Sequence, residues 1–332
     1  MENSIVQLIP EPRRAGVETA LTEAFRSTAI DSISLLAGGL SGSAVYKIVV
    51  DGRVYVLKLD VPSGHSSPAL MRASEAGIAP RVYYREASTG VTITEFIESR
   101  PIRAAFAPGK LVGELARTIR AIHAIPSLIP GPGLRESIAG IIRSFTDMGV
   151  LKGGIVEEGL SRYEIIEKGY PWDDSEKVFS HNDINPGNLL TDGVRLWVVD
   201  WDAAFSNDRY VDLATAANFF VQTEEQELEF LQVYFDGAVD EYKRARFHVM
   251  RQVSRLIYSM LLVQVADRGK PAGHVLDQEM EGATLKAFGE LVGAGKLSMG
   301  TYEGQLMYGK AQMNEAVRNM RLPRFTESIG ML

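Results

Sequence analysis

Cysteine is absent from the 332 residues. That excludes disulfides, thiolate zinc sites and cysteine nucleophiles together. Histidine is scarce. His65, His123, His181, His248 and His274 are far apart, and none stands in a His-Glu-x-x-His pair. A transition-metal centre is therefore not expected, while a hard cation held by oxygen ligands stays open. No apolar run approaches the ~18 residues needed to span a bilayer. Met1 to Arg14 mixes acids, prolines and arginines and has no apolar stretch of the secretory kind. Positive charge is in deficit, with 35 Lys and Arg against 42 Asp and Glu. A net charge of −7 opposes generic nucleic-acid binding, which needs a basic face. The expectation is a cytoplasmic chain with no nucleic-acid or membrane partner. Oligomeric state leaves no trace in the sequence.

What is present is a packed core and a change of period. Apolar residues make up 45% of the chain, enough for a globular fold. Residues 17–29 read as a short amphipathic helix. Ile33 to Leu36, Ala44 to Val50 and Val54 to Asp60 read as strands, the last two joined by Asp51-Gly52, a strong hairpin signal. A short helix is expected over Pro68 to Ala76, then strands over Arg81 to Arg85 and Val91 to Phe96. After Glu98 the pattern turns helical over 109–125, 134–150 and 155–168, and again from Tyr210 to about residue 320. Strands first and helices later predict an α+β chain with two lobes: a small β-sheet lobe over 1–96 and a larger, mainly helical lobe over 97–332.

The helical pattern is interrupted from Lys177 to Ala204. There the chain reads Ser180-His181-Asn182-Asp183-Ile184-Asn185-Pro186-Gly187-Asn188-Leu189-Leu190, and twelve residues past Asn188 comes Asp200-Trp201-Asp202. An acid, an amide and a second acid thus fall on a loop and the end of a short hairpin. Phosphoryl transfer needs such a set, because the protein mostly positions charge. Asp183 fits the base that orients a hydroxyl and takes its proton. Asn188 and Asp200 fit the oxygen ligands of Mg²⁺, which often takes only one or two carboxylates from protein. Asp183, Asn185 and Asn188 are also turn formers around Pro186-Gly187. Asp200, following Leu-Trp-Val-Val, has no such turn role.

The pattern His-x-Asp-x₄-Asn followed by Asp resembles the catalytic loop of the protein-kinase-like superfamily. More closely, HNDINPGNLL with VVDWDAAFSNDRYVDLA resembles the choline/ethanolamine kinase and aminoglycoside phosphotransferase families. Asp202 stands where those families usually carry Glu. The resemblance implies a protein-kinase-like two-lobe fold, with Asp183 as base and Asn188 and Asp200 on Mg²⁺. It implies that Asp212 braces the loop and that His181 is a structural hydrogen-bonder beneath it.

Other features bear on the nucleotide. Gly38-Gly39-Leu40-Ser41-Gly42-Ser43 joins two strands, and glycines let backbone N–H groups approach phosphate. Gly39, Ser41, Gly42 and Ser43 are the candidate contacts. It is not a Walker loop, since no Gly-Lys-Ser/Thr precedes a helix. Lys58 shares a strand face with Val54 and Val56 and suits the α- and β-phosphates of ATP. An edge lysine reaching solvent is the alternative. Lys47 has only that solvent role in its favour. By resemblance, backbone groups of Thr94 and Phe96 read adenine, with Ile93 lining the pocket. The helix glutamate that pairs with such a lysine in the family is missing: Ser66 and Ser67 stand near the expected place. Glu75 or Asp60 substitutes, or Lys58 is unpaired without nucleotide.

The activity implied is ATP- and Mg²⁺-dependent transfer of the γ-phosphoryl group to a hydroxyl of a small acceptor. Acidic stretches at Glu157 to Glu176 and Glu224 to Glu241, with aromatics such as Trp172, Tyr210 and Tyr258, suit a cationic acceptor, choline-like or aminoglycoside-like. Trp201 and Asp202 are the candidate acceptor contacts. The alternative is a catalytically silent nucleotide-binding module, motivated by the missing glutamate. A protein kinase is disfavoured, since no Asp-Phe-Gly or Ala-Pro-Glu segment frames an activation loop.

Overall fold

The computed structural model describes residues 8–36, 43–64, 67–126, 129–172 and 177–332. Contacts divide the chain into two compact units: Met1–Ile129 with Asp183–Phe205, and Pro130–Asn182 with Ser206–Leu332.

The first unit is built on an antiparallel sheet of order β1-β2-β3-β5-β4. Its strands are β1 (Ser32–Leu35), β2 (Ala44–Val50), β3 (Arg53–Leu59), β4 (Val82–Glu86) and β5 (Val91–Glu95). Asp51 and Gly52 both take positive φ, 49° and 69°, as the tight β2–β3 turn requires. One face is apolar. Tyr46, Ile48, Leu57 and Ile93 pack there against Val17 and Leu21 of α1 (Arg14–Phe25). Burial of each such side chain contributes roughly 1.5–3 kcal/mol. α1 starts three residues earlier than expected and stops four earlier, at Arg26, whose φ is 61°. Three further helices follow: α2 (Ala69–Glu75), α3 (Ile102–Ala105) and α4 (Pro108–His123).

This unit extends past residue 96 and takes in the hairpin of β7 (Leu189–Thr191) and β8 (Leu196–Val198). Main-chain hydrogen bonds tie that hairpin down: Val198 N–H donates to the Ile78 carbonyl at 3.0 Å, and Arg100 N–H to the Thr191 carbonyl at 2.9 Å.

The second unit is mainly helical. It comprises α5 (Leu134–Met148), α6 (Gly154–Gly169), α7 (Arg209–Phe220), α8 (Glu224–Tyr234), α9 (Glu241–Arg268), α10 (Leu285–Gly293), α11 (Tyr302–Met320) and α12 (Pro323–Gly330). α9 is the central helix, packing on α5, α7, α11 and α12. Its residues Phe247, Val249, Val253 and Val263 are fully buried. Side-chain caps start several helices: Asp208 at α7, Thr223 at α8, Asp240 at α9 and Thr301 at α11. The helical run expected from Tyr210 to about 320 is broken, because residues 270–284 hold no helix. A strand pair also escaped the pattern: β6 (Lys177–Ser180) joins β9 (Phe205–Asp208). Each is four residues long, too short to show a period. No helix among the described residues is long and apolar enough to cross a membrane.

Candidate active site

The loop before β7 is held by its own side chains. Asn185 Oδ1 accepts from Gly187 N–H at 2.8 Å and caps a 3-10 turn over Pro186–Asn188. That is the turn role foreseen for an Asn ahead of Pro-Gly. Asn188 does more. Its Nδ2 donates to Asp183 Oδ2 and to the Asp183 carbonyl, both at 2.9 Å. With the amide nitrogen so engaged, Oδ1 is the Asn188 atom left to accept.

The hairpin register brings Asp200 to the same end. Leu189 pairs with Val198, and Val199 N–H donates to the Asn188 carbonyl at 2.9 Å. The residue after Val199 is Asp200, in a left-handed conformation with φ 63° and ψ 66°. Asp tolerates that region better than most residues, yet it is uncommon outside glycine and clusters at functional sites. Asn182, just before Asp183, is also left-handed at φ 65°.

Lys58 completes the set. β3 is a central strand between β2 and β5, so the edge-lysine alternative does not apply. The buried face of β3 is Tyr55, Leu57 and Leu59, and Lys58 points from the opposite face. Its Nζ lies 2.7 Å from Asp202 Oδ2, 3.1 Å from Asp200 Oδ1 and 3.1 Å from Asp60 Oδ1. The partner sought on the helix is therefore this trio of carboxylates. Glu75 pairs instead with Arg72 at 3.2 Å on the surface. Burial would lower the Lys58 ammonium, but the bond to Asp202 and the charges of Asp200, Asp202 and Asp60 outweigh it and raise its pKa. Burial, with the neighbouring Asp202, pushes the Asp200 carboxyl up against the opposing pull of Lys58. At Asp202 burial pushes the same way, but Lys58 prevails and holds it low.

Asp60 is itself positioned. Its N–H donates to the Gly90 carbonyl at 2.8 Å, and its Oδ1 accepts from Ser43 Oγ at 2.6 Å. Gly90 has φ 63°, and a Cβ there would collide with the Asp60 carbonyl, so only glycine fits.

Other expected residues sort as follows. Ser43 touches this cluster, while Gly39, Ser41 and Gly42 lie outside the described residues. Thr94 pairs with Val56 and so shares the face of Lys58. Thr92, opposite Lys58 in register and buried, shares it too and was missed. Ile93 faces the other way, into the core, rather than lining that face. Phe96 carries Lys47 Nζ 4.7 Å above its ring, so Lys47 has a partner beyond solvent. Trp201 is only 3% exposed, and its indole N–H donates to the Val198 carbonyl at 2.9 Å. That makes it a wedge under the hairpin rather than an open ligand contact. Asp202 is the exposed member, with 59% of its side chain accessible.

In the helical unit Asp212, fully buried, accepts from the N–H groups of His181 at 2.8 Å and Asn182 at 2.7 Å. It braces the backbone leading into Asp183. His181 is itself fully buried.

The sequence pattern of the phosphotransferase enzyme family matches residues 32–248. The chain belongs to that family. The match spans the sheet, the hairpin and Asp212 of this phosphotransferase, and with the sites above it gives no support to a silent nucleotide-binding module. Solved structures show the same two-lobe fold, a small antiparallel sheet lobe and a larger helical one. A choline/ethanolamine kinase family protein from Mesorhizobium loti has a TM-score of 0.72 at 16% identity, covering 96% of this chain and 98% of that one. A choline kinase from Streptococcus pneumoniae has a TM-score of 0.60 at 16% identity, with 94% and 99% covered. A spectinomycin phosphotransferase in complex with ADP and spectinomycin has a TM-score of 0.58 at 15% identity, with 90% and 98% covered. At such identities the likeness is one of fold.

Proposed function

We propose that this phosphotransferase moves the γ-phosphoryl group of ATP to a hydroxyl of a small molecule, with Asp183 as base and Asn188 and Asp200 as Mg²⁺ ligands. The observation that carries the reading is one unbroken chain of contacts: Asp183 to Asn188, Asn188 to Val199 beside Asp200, and Asp200 to Lys58.

Asp183 orients the acceptor O–H and takes its proton as the oxygen attacks the γ-phosphorus. The new O–P bond forms, the bond to the β-phosphate oxygen breaks, and ADP leaves. The Asn188 amide fixes which way the Asp183 carboxylate faces. Asn188 Oδ1 and the Asp200 carboxylate are hard oxygens that suit Mg²⁺. Bound Mg²⁺ would neutralise phosphate charge there. Lys58 exchanges part of its carboxylate set for phosphate oxygens when nucleotide binds, and Asp202, the most exposed member, is the one to yield. Among the described residues, Ser43, Thr94 and Phe96 are the proposed nucleotide contacts.

Part of the acidic charge expected to suit a cationic acceptor is engaged within the protein. Glu158 is held by Arg162 and Arg321, Glu167 by Arg135, and Glu227 by Arg251 and Arg324. Asp240 and Glu241 are paired within their own helix turn. Asp173, Asp174 and Glu176 lie outside the described residues. Tyr210 is buried beneath the Arg246 guanidinium, 4.6 Å from its ring centre.

The test is acceptor-stimulated ADP formation with Mg·ATP over a panel of alcohols, charged and uncharged. Stimulation that disappears with EDTA supports the reading. Absence of stimulation by every alcohol counts against it.

A further inference from the structure

We infer that the acceptor is an uncharged alcohol with an apolar body, seated in a cavity of the helical unit. The inference deepens the phosphotransfer reading and rests on it. The cavity has a volume of about 130 Å³ and is walled by α5, α7 and α9. At ~30 Å³ per water it has room for roughly four waters, the size of a small alcohol or of the reacting end of a larger one.

Its wall is chemically one-sided. Leu134, Ile138 and Ile141 come from α5, Val211 from α7, and Met250 and Ile257 from α9. The remaining lining groups are hydroxyls and amides, and no lining residue carries a charge at neutral pH. Six of the twelve lining residues are polar, and four of those six are engaged with one another. Thr215 Oγ1 and Ser254 Oγ lie 3.2 Å apart, and Asn207 Nδ2 donates to Asn182 Oδ1 at 2.8 Å. Ser137 Oγ differs: it is buried and, among the described residues, has no hydrogen-bond partner. An unpaired buried hydroxyl costs free energy. Behind Tyr258 the wall stays apolar, with Phe219 edge-on to its ring at 5.8 Å and Leu262 and Met307 in the same cluster.

Asn182 lines the cavity, and the next residue along the chain is Asp183. A cation brought here would lose its hydration and meet no carboxylate in the wall, a heavy penalty. An apolar group would lose nothing comparable and would gain the burial of its own surface.

The test compares two isosteres, choline and 3,3-dimethylbutan-1-ol, which differ in having a quaternary nitrogen or a quaternary carbon. Calorimetric affinity of each is measured on the full chain with ADP present. Alcohol-stimulated ADP formation from Mg·ATP is followed separately, in the wild type and in Asp183→Asn. The neutral alcohol is expected to bind at least about tenfold more tightly than choline. Ser137→Asp, near the N-terminus of α5 where an acid is favourable, is expected to shift the ratio toward choline at least about tenfold. Choline binding as tightly as the neutral alcohol, binding by neither, or a ratio unmoved by Ser137→Asp would each overturn the inference. ADP formation that no alcohol stimulates, or that is unchanged in Asp183→Asn, with the binding preference intact, would remove the phosphotransfer reading and leave the ligand class standing.

Discussion

Lys58 Nζ stands 3.1 Å from Asp200 Oδ1 across a separation of 142 residues, joining β3 to the end of the β7–β8 hairpin. The contact places a cation beside the carboxylate proposed to hold Mg²⁺. It also keeps Asp200, Asp202 and Asp60 together without like-charge repulsion dominating. A lysine with a raised pKa stabilises the fold fully below the ordinary lysine value of about 10.4, and that contribution is lost only as pH climbs through the higher folded value.

Lys58→Met keeps the apolar stem and removes the charge. It is expected to lower kcat/KM for ATP by about a hundredfold or more, the scale seen when one charge-stabilising donor is lost. Lys58→Arg is expected to rescue poorly, because a planar fork cannot replace a compact ammonium among three carboxylates. Steady-state kinetics with varied ATP measures both.

Asn188→Leu removes the amide that orients Asp183 and the oxygen proposed for Mg²⁺. The half-saturating Mg²⁺ concentration is expected to rise roughly ten- to hundredfold, and kcat to fall with it. Titration of activity against free Mg²⁺ reads this directly. An unchanged Mg²⁺ dependence would take Asn188 out of the metal site.

Asp212→Ala leaves the buried N–H groups of His181 and Asn182 without their acceptor. At about 1–3 kcal/mol for each unsatisfied group, a loss of roughly 2–6 kcal/mol is expected in denaturant unfolding. Asp212→Asn keeps one acceptor oxygen and is expected to lose less.

His248 gives a pH dependence of definite sign. Burial, with Arg324 and Arg251 nearby, pushes its pKa down to about 3 from 6.5. The folded state therefore holds it neutral, and the unfolded state binds the proton below pH 6.5. Stability from this residue is complete above about pH 6.5 and falls as the medium is acidified, by about 2 kcal/mol at pH 5. His248→Gln is expected to flatten that part of the stability–pH curve, measured by urea unfolding at pH 7.5 and pH 5.

Much of this was legible in the chain. The five sheet strands announce themselves through alternation and through Asp51-Gly52, because local side-chain period and turn chemistry specify them. The convergence of Asp183, Asn188 and Asp200 was legible, because a turn-rich loop followed by a short hairpin returns Asp200 beside Asn188. Of the partners of Lys58 only Asp60, two residues along the same stretch of chain, was legible; Asp200 and Asp202 come from 142 and 144 residues away, where local pattern gives no signal. β6 and β9 were invisible, each too short for periodicity. The pairing of the acidic stretches was not legible: several of their charges answer arginines that the fold brings up from elsewhere, such as Arg321 to Glu158 and Arg324 to Glu227.

The central claim is that Asp183 takes the acceptor proton in transfer from ATP. Asp183→Asn keeps the shape and removes the base, so comparing its ATP affinity and its transfer rate with the wild type is the most direct measurement. The account predicts ATP binding within about twofold of wild type and transfer slowed by roughly 10²–10⁴-fold. Transfer by Asp183→Asn at the wild-type rate would contradict it.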